Sequence, residues 1–220
     1  MKTIRTIGIL LLVMSFFIGC EFEIYSENTM EAKGKGVGVM GKIGDIAYSD
    51  GSVSEYYDST KTPIGIVIEV VVGVVTKIVS LTETSAEWST SLSFRNATIE
   101  NNGMLNLLII QGIDGWEGKH PAFKWCDDYT DESDNSEWYL PAKDELNLIY
   151  KAKDVINTAI EKITAGGGTA TKLGTGWYWS SSEDCGSYAW LQSFSDGKQF
   201  IDHSFSFKDY ARSVRAVRAF

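Results

Sequence analysis

From Thr62 to Leu81 the chain is dominated by valine and isoleucine, and the run is interrupted at Gly73. β-Branched side chains are stiff at χ1 and pack well on a pleated surface. Thr62–Val72 and Val74–Leu81 are therefore expected to form a hairpin or an adjacent strand pair. The alternative, a membrane span, needs about 20 apolar residues. Ile64 to Val75 is shorter than that and carries Glu69 and Gly73. Whatever else the chain does, it has to build a sheet around this block. Ile46-Ala47-Tyr48 predicts a short strand ahead of it, stopped by the turn residues Ser49-Asp50-Gly51.

Helical signals come later. Ala122 to Tyr129 is a short candidate with Phe123 and Cys126 on one face. Lys143 to Ile163 is longer, with Leu146, Ile149, Tyr150, Ile156, Ile160 and Ile163 spaced as a buried stripe. Asp144 and Glu145 place negative charge in its first turn, where the helix dipole favours it. The helix is expected to end before Gly166-Gly167-Gly168, read as a connection. Trp177 to Phe220 is strand-like, with turns at Glu183–Ser187 and Ser195-Asp196-Gly197. Strands, then helices, then strands again predict an α+β domain.

The N-terminus reads separately. Lys2 and Arg5 precede an apolar run, Ile7 to Ile18, that closes with Gly19-Cys20. The run has the length of a signal-peptide core. Together with the small residue before the cysteine it resembles the lipobox of bacterial lipoproteins, which implies cleavage before Cys20 and lipid attachment to its thiol. Residues 1–19 are thus expected to be a signal peptide and 20–41 a lipidated flexible tether, polar and rich in glycine. Residues 42–220 remain for one folded domain. The implied localisation is the bacterial cell envelope, outer membrane or cell surface, with the lipid as the membrane attachment.

The formal charge of −9 becomes −11 once Lys2 and Arg5 are removed. An acidic domain without a basic cluster is a poor partner for nucleic acid and is repelled by anionic lipid. Cys126 and Cys185 lie in a compartment that permits a disulfide, and sequence leaves their pairing open.

Catalytic templates fail one by one. Two histidines, His120 and His203, exclude a multi-histidine metal centre. Ser180-Ser181-Ser182 lacks the nucleophile-elbow glycines, and the glycine run lacks the order of a phosphate loop. The acidic stretch Asp127, Asp128, Asp131, Glu132, Asp134 and Glu137 has no central glycine and reads as a solvated loop, not a calcium site. No catalytic residue, metal or cofactor is expected.

Aromatic residues crowd the second half, among them Trp125, Trp138, Trp177, Trp179, Tyr188 and Trp190. They fall in an ordered series. Trp138-Tyr139-Leu140-Pro141-Ala142-Lys143-Asp144-Glu145-Leu146 is followed by Trp177-Tyr178-Trp179-Ser180-Ser181-Ser182-Glu183. Ala189-Trp190, Phe194-Ser195-Asp196-Gly197 and Ser213-Val214-Arg215-Ala216-Val217-Arg218-Ala219-Phe220 complete it. This series resembles the DUF1566 family, or Lcl C-terminal-like domains, of bacterial surface lipoproteins. The resemblance covers roughly Lys42 to Phe220. It implies a C-type lectin-like fold of the formylglycine-generating-enzyme branch: small antiparallel sheets, two helices and long ordered loops. Ala142 departs from the pattern, standing where a capping Ser or Thr is usual, a loss of about 1 kcal/mol. The calcium-dependent lectin triplets are absent, and neither cysteine has a formylglycine context.

The resemblance implies adhesion to a glycan or extracellular protein. Some lectin-like surface lipoproteins also carry segments diversified by retroelements. Asp184–Ala189 and Ile201–Phe207 have side chains of the types such diversification produces. The expected contacts are Asp184, Tyr188, Asp202, His203, Phe205, Phe207 and Tyr210, in loops flanking regular strands. A structural envelope protein is the alternative from another class.

Overall fold

A computed structural model describes residues 38–129, 137–202 and 204–220. Cys20, His203 and most of the leader and acidic loop lie outside these residues. The domain is α+β. One sheet contains β1 (Ile46–Tyr48), β2 (Val53–Ser54), β3 (Pro63–Val71), β4 (Val74–Ser80) and β10 (Val217–Ala219). Their order is β10-β4-β3-β1-β2, antiparallel throughout.

The second sheet has the order β5-β9-β6-β7-β8, from β5 (Thr84–Glu87), β6 (Trp177–Glu183), β7 (Ala189–Ser193), β8 (Gln199–Phe200) and β9 (Ala211–Val214). Its β6–β9 pair is parallel, so this sheet is mixed.

The valine-rich block folds as the predicted hairpin. Ile64 to Ile68 are all buried, so β3 is covered on both faces before it runs out to solvent at Val71. Val72 and Gly73 make the turn with φ of 52° and 82°. Two positive φ values match the right-handed twist of a two-residue hairpin. Strand pairing also begins ahead of Lys42: Val75 N–H donates to Val39 O at 2.8 Å, and Gly41 N–H donates to Gly73 O at 3.1 Å.

The helices differ from the expectation of two. Five segments are present among the described residues: α1 (Gly103–Gln111), α2 (Trp116–Lys119), α3 (Pro121–Asp127), α4 (Lys143–Lys151) and α5 (Lys153–Ala165). The single helix expected over Lys143–Ile163 breaks at Ala152 (φ −92°, ψ 4°). With the break, α4 packs on β6, β7 and β3, burying Leu146 and Ile149, and α5 packs on β3, burying Ile156, Ile160 and Ile163. The sequence of α1, Gly-Met-Leu-Asn-Leu-Leu-Ile-Ile-Gln, is apolar nearly all round and shows no amphipathic period. Its start is capped: the Asn102 side chain accepts from Leu105 N–H at 3.2 Å.

Ala142 leaves α4 without a capping hydroxyl, and tertiary contacts replace it. Lys143 N–H donates to Ser182 Oγ at 3.0 Å, and Asp144 N–H donates to Glu100 O at 2.7 Å. Glu145 is nearly inaccessible and accepts from Ala142 N–H (2.9 Å), Gly103 N–H (2.8 Å) and Tyr139 Oη–H (2.9 Å). One carboxylate therefore ties the starts of α1 and α4 together.

The glycine run closes α5. Gly168 N–H donates to Ile163 O, and Gly167 N–H to Thr164 O, with Gly167 at φ 92°. This pair of bonds is a Schellman cap. A Cβ on Gly166 would sit 2.2 Å from the Tyr57 ring and one on Gly168 2.7 Å from Ile163 Cγ2, so both of these glycines are closely packed.

Candidate functional site

Two connections carry the expected contact residues, and the structure brings them together. The β6–β7 turn holds Asp184 and Tyr188; the β8–β9 connection holds Asp202, Phe205, Phe207 and Tyr210. Tyr188 and Phe207 form an antiparallel bridge, and Lys208 N–H donates to Ser187 O at 3.1 Å. Ring centroids step from Tyr188 to Phe207 at 4.7 Å and from Phe207 to Tyr210 at 5.6 Å, each tilted by 52°. Arg212 lies 5.4 Å from the Tyr210 ring centroid and donates to Phe205 O at 2.7 Å. Phe205 is 51% exposed and Tyr210 41%. The result is a stepped aromatic ledge.

The two acids have different places. Asp202 organises its own turn: its carboxylate accepts from Ser204 N–H at 2.6 Å, and its carbonyl accepts from Phe205 N–H and Ser206 N–H. Asp184 pairs through its backbone with Tyr188 and is exposed.

A buried ion pair that sequence reasoning missed holds the ledge. Glu183 and Lys208 are in direct contact, and both side chains are inaccessible. Lys208 Nζ also donates to Cys185 O (2.7 Å), Gly186 O (3.1 Å) and Ser93 O (3.3 Å), and stands 4.6 Å from the Trp88 ring centroid. Burial pulls the lysine down from its ordinary range, opposed by Glu183. The Glu183 carboxylate accepts from Arg95 N–H at 2.8 and 2.9 Å and from Ala97 N–H at 3.3 Å. Three loops, at 93–97, 183–186 and 205–210, are thereby fastened to one charged pair. Such a pair contributes less to net stability than to fixing which loops meet.

The segment entering the 93–97 loop adds Leu92 (47% exposed) and Phe94 (50% exposed) beside Gly186, whose Cβ position is 3.4 Å from Phe94 N. In sequence, Phe94 stands within a stretch rich in Ser and Thr, with no sign of its place beside Gly186. An isolated lysine and glutamate 25 positions apart offer no local signal of pairing.

Beneath Trp88 lies His120, fully buried, with Nδ1 3.3 Å from Trp88 O and Nε2 without a partner. Burial pushes its pKa down to about 4, so at neutral pH the ring is uncharged and Nδ1–H donates to the carbonyl. Trp88, His120 and Phe123 pack edge to face at 4.9–5.9 Å.

The serine run is structural. Ser180 Oγ donates to Trp190 O, Ser182 Oγ donates to Ile99 O, and Ser181 Oγ accepts from Asn106 Nδ2. Cys126 and Cys185 are both free thiols: Cys126 is fully buried, with its pKa pushed well up by burial, and Cys185 is half-buried. Among the described residues no group of three or more His, Cys, Asp or Glu side chains could hold a metal. A cavity of about 460 Å³ lies elsewhere, lined by Lys77, Asn102, Tyr139, Glu145 and Arg218. Its buried carboxylate, Glu145, is already occupied by structural donors.

No family model matches the chain, and no curated protein is similar to it. Among solved structures it is similar to the crystal structure of a fimbrial protein from Bacteroides ovatus, with a TM-score of 0.62 and 19% identity. The match covers 81% of this chain and 49% of the other, so the chain spans about half the length of that fimbrial protein. At this identity the likeness is one of fold.

Proposed function

We propose that this chain is a lipid-anchored, surface-exposed binding protein of the adhesin type, which takes a glycan or protein ligand on the Tyr188–Phe207–Tyr210 ledge. The observation that carries this reading is a row of aromatic rings, half-buried at Tyr188 and Phe207 and exposed at Tyr210 and Phe205, mounted on an inaccessible ion pair. Exposed aromatic groups on rigid loops are suited to binding, because little side-chain freedom is lost on contact. The anchor is Cys20, and the attachment implied is the envelope membrane.

We read the α+β fold as C-type lectin-like, of the DUF1566 type. Support comes from where the shared motifs fall. Tyr139 bridges Val217, Ser181 N–H donates to Pro141 O, and Trp138 and Trp179 are buried. These motif segments build the core, and the ledge lies in the connections between them. The two segments with the side chains of retroelement-diversified sequences, Asp184–Ala189 and Ile201–Phe207, meet at the Tyr188–Phe207 bridge. A diversified display surface is a form of the same reading.

The test is binding of the lipidated protein to an array of glycans and matrix proteins, with and without a chelator. Replacing Tyr188 and Phe205 by alanine together is expected to weaken binding by about tenfold or more without altering the circular dichroism spectrum. Unchanged binding would remove this surface from consideration.

A structural envelope subunit is the second reading, and the likeness in fold to a fimbrial protein favours it. Concentration-dependent self-association with no array ligand is its expected signature.

A further inference from the structure

The β3–β4 hairpin ends in a tip unsuited to water. Val70 to Val75 contains no polar side chain, and Val71 and Val72 are 54% and 90% exposed. Val72 holds φ at 52°, a region that disfavours β-branched residues and where a turn of this kind ordinarily carries Asn, Asp or Gly. Met40, 66% exposed, extends the patch: it bridges Val74, and a Cβ on Gly73 would lie 2.6 Å from its Cε. Met40, Val71 and Val72 thus form one apolar surface at an end of the first sheet.

The polypeptide enters the fold at this same place. Residues 39–41 run along β4, so the segment leading back to Cys20 departs from the edge of the patch. Met40 is twenty positions beyond Cys20, a contour of at most about 70 Å. A lipid on Cys20 would therefore hold this tip at high effective concentration near the bilayer. The nearest charged side chains on the two strands, Glu69 and Lys77, pair with each other at 3.1 Å. Docking would strand no single charge. The acidic chain is repelled by anionic lipid, so the contact has to be apolar and should work on zwitterionic membranes.

We infer that the Met40–Val71–Val72 tip is a membrane-docking surface that seats among the lipid headgroups beside the anchor and orients the domain. The inference rests on the lipoprotein reading. The experiment uses the full-length protein in phosphatidylcholine vesicles, with intact mass reporting the lipid on Cys20 and hydrogen exchange reporting the tip. Amides of Val72 and Gly73 are expected to exchange about tenfold more slowly on vesicles than after proteolytic release from the leader. Val72→Asn, which suits the turn, should abolish that protection while the rest of the domain keeps its exchange pattern. Equal exchange before and after release overturns the docking surface and leaves the lipid anchor standing. Protection that survives release points to a second copy on the patch and also overturns it. Absence of lipid on Cys20 overturns both.

Discussion

At the residue scale, single groups stand out by their surroundings. His120 has a folded pKa of about 4 against an ordinary 6.5, so the unfolded chain binds the extra proton first on acidification. Its contribution to stability is present above pH 6.5 and is lost as pH falls from 6.5 to 4, by up to about 3 kcal/mol. Urea unfolding at several pH values should show this slope, and His120→Gln, which keeps a donor toward Trp88 O, should flatten it. Val72 gives the opposite kind of prediction. Its positive φ costs about 1 kcal/mol for a β-branched side chain, so Val72→Asn is expected to raise the unfolding free energy by about that much. Lower stability in the variant would mean that the valine makes contacts its exposure does not suggest.

At the scale of elements, buried charges decide how segments meet. Glu145 joins α1, α4 and Tyr139, so Glu145→Ala leaves two buried backbone donors and a phenol without an acceptor. A loss of about 3 kcal/mol is expected in denaturant melts. Lys208→Met removes one member of the Glu183 pair and strands the carboxylate, with an expected cost of about 3–5 kcal/mol. Its local mark should be faster hydrogen exchange in the loops at 93–97 and 183–186, since the lysine bonds to carbonyls in both. If only global stability moved and those loops kept their protection, the fastening role of Lys208 would be wrong.

Across the whole molecule, one link between the two sheets is Arg215, which stands between β9 and β10. Its guanidinium donates to Glu83 Oε2 at 3.0 Å, to Ser80 O at 2.8 Å, and to Thr171 O. Glu83 accepts in turn from Tyr178 Oη–H at 2.8 Å. Lysine has no planar fork to reach three acceptors, so Arg215→Lys is expected to separate the sheets energetically. Tryptophan fluorescence and far-ultraviolet circular dichroism should report one transition in the native protein and non-coincident transitions in the variant.

Local chemistry was enough to read the hairpin, the Ser49–Gly51 turn, the apolar stripes of α4 and α5, and the strand-rich tail from the residues themselves. Period, β-branching and turn residues act over a few positions and need no distant partner. The contact segments were legible as loops too, since they sit between regular strands. The mixed second sheet, the break at Ala152 and the all-apolar α1 were not legible, because each depends on what packs against it. The same holds for Glu183 with Lys208, Glu145 with Gly103, and Arg215 with Glu83, which lie 25, 42 and 132 positions apart. A charge can be buried only where its partner and the remaining donors or acceptors arrive with it. Local composition and spacing thus set where strands, turns and helices could form. Which charges were taken out of water, and therefore which loops stand side by side as a ledge, was decided only when segments distant in sequence met in the tertiary structure.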